Sequence, residues 1–104
     1  MCNVRLDLTI NSMIKSFRHK GLKALHSRGD AKGVKAEHVS RILRLLASLE
    51  VAQAPADMDR PGNRLHPLKG KEKGFWAVNV SGNWRVIFCF DGSDVELVDY
   101  LDYH

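Results

Sequence analysis

The clearest pattern in the chain runs from Lys35 to Val51. Val39, Ile42, Leu43 and Leu46 repeat at i, i+3, i+4 and i+7, and Leu49 continues the stripe. Arg41, Arg44, Ser48 and Glu50 hold the remaining positions. This is the pattern of an amphipathic helix with one face toward a core. A shorter helix is predicted over His19 to Arg28, where Leu22, Leu25 and His26 recur at helical spacing and Gly29 stands where a helix stops. Before it, Ile14 to Phe17 reads as a short first strand. Pro55, Pro61 and Gly62 break any continuation of the second helix, so Ala54 to Asn63 becomes a linker inside the domain.

From Phe75 the period changes to two. Phe75 to Val80 reads as one strand, Trp84 to Phe90 as the next and Val95 to Leu101 as the last. The turns between them, Ser81-Gly82-Asn83 and Asp91-Gly92-Ser93, are short and contain glycine, as antiparallel hairpins require. Arg64 to Leu68 offers an additional short strand. The expected fold class is α+β, with two N-terminal helices covering one face of a mainly antiparallel sheet. Alternation points Trp84, Val86, Phe88 and Phe90 toward the helices and Arg85, Ile87 and Cys89 the other way. In the terminal Asp102-Tyr103-His104 it sets Asp102 and His104 on one side and Tyr103 on the other, with Tyr100 sharing the Asp102 side.

At 104 residues the chain makes one domain, large enough for a core without metal or disulfide staples. The apolar fraction of 44% and charged fraction of 27% are ordinary for a globular protein. No apolar run of about 18 residues exists, and Met1 to Ser12 lacks the basic start and apolar stretch of a secretory leader. Two cysteines, Cys2 and Cys89, make no disulfide framework and lack metal-ligand spacing. A cytoplasmic protein without cofactor or metal is the expectation. The net charge of +4 suits a polyanionic partner, nucleic acid or an acidic protein.

Candidate chemistry narrows this picture. Metal-free cleavage of RNA needs a base for the 2′-OH, cations on the phosphate oxygens and an acid for the departing 5′-oxygen. Histidine titrates near neutrality and serves as either acid or base. Arginine holds phosphate oxygens with a bidentate fork. Aspartate orients a histidine, and tyrosine donates a hydrogen bond or stacks on a base. The chain carries His66 in a basic loop with Lys69, Lys71 and Lys73, Arg85 near a strand start, and Asp102, Tyr103 and His104 at its end. Singly, each is an ordinary surface residue. A non-catalytic basic module that binds RNA or a protein partner would share the charge and fold without needing either histidine. A DNA-binding regulator fits less well, since no helix-turn-helix pattern is evident.

The segments M-I-K-S-F-x-H-K-G-L-K (Met13 to Lys23), L-H-P-L-K-G (Leu65 to Gly70), G-F-W-A-V-N-V-x-x-N-W-R-V-x-F (Gly74 to Phe88) and V-D-Y-L-D-Y-H (Val98 to His104) resemble HigB-type toxins of the RelE superfamily. The resemblance implies a microbial-RNase fold over residues 13–104, with 1–12 an extension ahead of the usual start. It implies metal-free cleavage of mRNA in the ribosomal A site, inhibiting translation. It implies a HigA-type helix-turn-helix antitoxin as partner, together with the 70S ribosome, and operator DNA reached only through the antitoxin. The family's catalytic positions fall on His66, Asp102, Tyr103 and His104, with Arg85 on the phosphate side. Lys69, Lys71, Arg41 and Arg44 are expected RNA contacts. Tyr100 is a second stacking candidate.

Overall fold

The computed structural model describes residues 14–103. The expected 1–12 extension and His104 lie outside the described residues. Two α-helices, α1 (Lys20–Arg28) and α2 (Val39–Val51), precede a four-stranded antiparallel sheet of β1 (His66–Pro67), β2 (Trp76–Ser81), β3 (Trp84–Asp91) and β4 (Asp94–Asp102). The sheet order is β1-β2-β3-β4, so each strand pairs with its chain neighbour, β2, β3 and β4 through short turns. The architecture is α+β, as the sequence predicts.

Both helix ends of α1 follow from local chemistry. His19 is extended and its Nδ1 accepts the Leu22 N–H at 3.1 Å, satisfying one of the donors that a helix start leaves open. Gly29 takes φ 72° and its N–H reaches the Leu25 carbonyl at 3.0 Å, a left-handed stop that costs glycine little. A tight crossing fixes where α1 begins. A Cβ on Gly21 would lie 2.7 Å from the Gly33 carbonyl oxygen, so glycine alone allows this approach.

α2 starts later than its apolar pattern suggests, because Ala36–His38 forms a 3-10 turn ahead of it. Its buried stripe is Ile42, Leu45, Leu46 and Leu49. Leu43, which the periodicity places in the stripe, is 45% exposed. The correction is a rotation of one position: counting i, i+3, i+4, i+7 from Ile42 selects Leu45, not Leu43. The stripe packs with Val78, Val86, Phe88, Val95 and Val98 of the sheet. Trp84 and Phe90 pack against this cluster, so the aromatic face of β3 meets the helices as alternation requires.

The Ile14 to Phe17 segment makes two isolated parallel bridges, Ile14↔Val95 and Phe17↔Val98, instead of a regular strand. A bulge in β4 explains the interruption. Between the pairs Ile87↔Asp99 and Cys89↔Glu96 the register shifts by one, and Leu97 sits at φ 57°. The segment holds that bulge in place: the Leu97 N–H donates to Ser16 Oγ at 2.9 Å and the Val98 N–H to the Ser16 carbonyl at 3.1 Å.

Candidate active site

Strand register decides which side chains share the sheet face turned away from the helices. His66 pairs with Ala77, Ala77 with Ile87 and Ile87 with Asp99, so the four stand in one row across the sheet. The next row is Asn79, Arg85 and Leu101. Tyr103 follows Leu101 by two residues and projects to the same side. Ala77 and Ile87 are fully buried beneath these polar groups and form the floor. From strand spacing and rise, the Cα atoms of His66 and Arg85 lie about 12 Å apart, a span that two side chains reach across to one phosphodiester.

His66 is exposed, and its Nδ1 is 2.8 Å from the Arg64 carbonyl oxygen. A carbonyl only accepts, so Nδ1 carries the proton, and in the neutral ring Nε2 holds the lone pair. Arg64 itself takes φ 52°, the backbone conformation that presents its carbonyl to the ring. The Arg85 guanidinium donates through Nη1 to Asn79 Oδ1 at 2.6 Å and the Gly82 carbonyl at 2.8 Å. These bonds aim the cation across the β2–β3 turn.

Tyr103 is anchored from both ends. Its N–H donates to the Asn83 carbonyl at 2.8 Å, and its hydroxyl donates to Glu72 Oε1 at 3.0 Å. Desolvation, then the Glu72 hydrogen bond, pushes the phenol pKa upward, against a smaller opposing pull from Arg85. The phenol is therefore held as a neutral donor. Glu72 ends the 3-10 turn Gly70–Glu72, which also contains Lys71 and is preceded by Lys69. Both lysines are exposed at the rim of this face.

Other expected site residues fall elsewhere. Asp102 pairs with Trp84 in the last paired row of the sheet and shares the side of Tyr100, opposite to Tyr103, Arg85 and His66. Tyr100 is not available for stacking on RNA. It is buried at 4% exposure, its ring stacks on Trp84 at 4.6 Å, and its hydroxyl lies 2.6 Å from His38 Nδ1. Accepting the Lys35 N–H at 3.4 Å leaves that hydroxyl free to donate to His38.

Arg41 is half-buried and committed to structure. Its Nη2 donates to the Gly62 carbonyl at 3.1 Å, Asn63 Oδ1 at 3.0 Å and the Asn79 carbonyl at 3.0 Å. Arg44 is exposed on α2, with Nη1 2.9 Å from Ser40 Oγ. Both leave from α2, and Arg41 reaches β2 only to hold its backbone. Cys89 is half-buried, and burial raises its thiol pKa.

The structure brings in residues that sequence reasoning missed: Asn79 and Asp99 through strand register, and Glu72 through its hydrogen bond to Tyr103. None of the three stands out by spacing; only their three-dimensional partners identify them. Among the described residues, no three His, Cys, Asp or Glu side chains converge as a metal cage. Also among them, no helix is long and apolar enough to cross a membrane.

A sheet covered by helices on one face, with a histidine, an arginine and a tyrosine on the other, makes this a small α+β domain. The model of the HigB-like toxins, described as the RelE-like toxin of the type II toxin–antitoxin system HigB, matches residues 15–104. The chain is 44% identical over 92 residues to the Endoribonuclease HigB of Proteus vulgaris, covering 88% of this chain and all of that protein. It is 42% identical over 65 residues to the Toxin HigB-1 of Vibrio cholerae serotype O1, covering 61% of this chain and 66% of that one. The protein belongs to the HigB-like toxin family, and an antitoxin partner comes with a type II system.

Proposed function

We propose that this toxin is an endoribonuclease that cleaves mRNA in the A site of the 70S ribosome, with a HigA-type protein as its antitoxin. The observation that carries the reading is the convergence of His66, Arg85 and Tyr103 on one free sheet face. The identity to a protein named as an endoribonuclease supports it.

In this reading His66 is the general base. Its Nε2 lone pair takes the 2′-OH proton as the oxygen attacks the neighbouring phosphorus. The bond to the 5′-oxygen breaks, leaving a 2′,3′-cyclic phosphate. Arg85 neutralises the charge that builds on the phosphate oxygens, and the Tyr103 ring, held by Glu72, positions a base or the phosphate. His104 returns a proton to the departing 5′-oxygen, and Asp102, expected beside it, takes no part because the register turns it to the other face. Lys69 and Lys71 steer the backbone toward the face. The ribosome contributes by presenting the message in a near-attack geometry.

Primer extension on a message bound to programmed ribosomes tests this. The wild-type protein leaves new 5′ ends inside the A-site codon. His66→Ala lowers the cleavage rate by about a hundredfold or more while keeping the wild-type circular dichroism spectrum. Arrested translation without new ends refutes the enzyme reading and establishes a blocking module instead.

A further inference from the structure

The free sheet face extends past the His66 row, and the next row holds a feature the mechanism does not use. Arg18 lies with its Cζ 4.8 Å from the centroid of the Phe75 ring. Phe17 and Trp76 both pack against the helix-side core, so by alternation their neighbours Arg18 and Phe75 project to the free face. Phe75 precedes Ala77, the strand partner of His66, by two residues. That is about 7 Å along the strand, close to the step between successive nucleotides.

Resting on the endoribonuclease reading, the geometry points to the Arg18–Phe75 pair as the stacking subsite for one base of the message, next to the scissile phosphate. The phenyl ring lies against the guanidinium end of the arginine. Arg18 is exposed, so its guanidinium is accessible to a base. Bases stack on arginine planes and on aromatic rings with little dependence on sequence, and the positive charge also favours the neighbouring phosphate. The Phe75 carbonyl accepts the Leu68 N–H at 2.9 Å and the Phe75 N–H donates to the Glu72 carbonyl at 3.0 Å. The platform is thereby tied to the loop that carries His66, Lys69 and Lys71. A base held there fixes the register of the message over His66 and Arg85.

The test couples the side chain to the base it would hold. Synthetic messages carry a single abasic ribonucleotide, placed in turn at each of the three positions on either side of the scissile bond. Each is bound to programmed ribosomes and cleaved by wild type, Arg18→Ala or Phe75→Leu. Stacking of this kind predicts that one abasic position slows the wild-type protein about tenfold. Arg18→Ala is slower than wild type on the intact message by a similar factor and loses less than twofold further at that same position. Phe75→Leu, which keeps apolar bulk at the half-buried site, behaves alike. Full sensitivity to that abasic position in Arg18→Ala, or no sensitive position in wild type, overturns the subsite while leaving the nuclease intact. Failure of the wild-type protein to cleave the intact message overturns the enzyme reading itself.

Discussion

Replacing Arg41 by alanine tests whether a basic helix position serves the fold or the ligand. The side chain leaves α2 and closes on the loop after it and on β2 through three acceptors within 3.1 Å. One of those, Asn63, is 3% exposed, and its Nδ2 donates to the Met58 carbonyl at 2.8 Å. Its carbonyl takes the Asn79 N–H at 2.7 Å. Arg41 thus closes a network that holds the linker against the sheet. A hydrogen bond from a charged donor contributes about 1.5–3 kcal/mol, and stranding a shielded acceptor costs about 1–3 kcal/mol. Since one nitrogen is shared among three acceptors, the loss on truncation is about 2–4 kcal/mol. For a domain of this size that lowers the melting temperature by about 10–25 °C. Urea unfolding followed by circular dichroism measures it, with a shifted midpoint at unchanged slope. Arg41→Met keeps most of the stem and separates head from stem; its loss should approach that of alanine. Arg44→Ala, exposed and bonded only to Ser40 among these contacts, should stay within about 0.5 kcal/mol. An Arg41→Ala protein as stable as Arg44→Ala refutes the clamp.

Three further outcomes are expected. Leu45→Ala should cost about 2–5 kcal/mol in urea unfolding, whereas Leu43→Ala should change stability by less than about 0.5 kcal/mol; equal effects would contradict the rotated stripe. Tyr100→Phe should cost about 1–3 kcal/mol, because the buried His38 and the Lys35 N–H both lose their partner, and wild-type stability would refute that. Both phenols have raised pKa values, Tyr100 chiefly through burial and Tyr103 through desolvation and Glu72. A raised folded pKa gives stability that is present below the unfolded value of about 10 and is lost as pH climbs through the folded values. Absorbance at 295 nm should show both tyrosines ionising late, with Glu72→Gln moving one of them part of the way down; an unmoved titration would refute the Glu72 contact.

The helices, the three long strands and the helix-facing side of β3 were all legible from periodicity, because burial on one face imposes a period on the sequence. The short His66–Pro67 strand was legible only as an option, since two residues carry no period. What periodicity could not give was contact between distant polar groups. Arg41 has the position of a solvated helix residue, and only the path of the linker turns it inward. Tyr100 resembles Tyr103 in its neighbours, yet one is buried on Trp84 and the other faces Glu72.

That last difference comes from a single residue. Below the bulge, Cys89 pairs with Glu96; above it, Ile87 pairs with Asp99. Had β4 continued in its first register, Arg85 would face Tyr100, and Asp102 would stand on the side of His66. A one-residue slip moves every later side chain to the other face, and a bulge is the local way to make it. Leu97 accepts a left-handed backbone that disfavours a branched side chain by about 1–3 kcal/mol. The Ser16 hydroxyl and carbonyl compensate by binding the N–H groups of Leu97 and Val98. The N-terminal edge segment therefore does more than extend the sheet. By holding the bulge it puts Tyr103 beside Arg85 and sends Tyr100 into the core, and so decides which of two similar Asp-Tyr pairs supplies the phenol of the site.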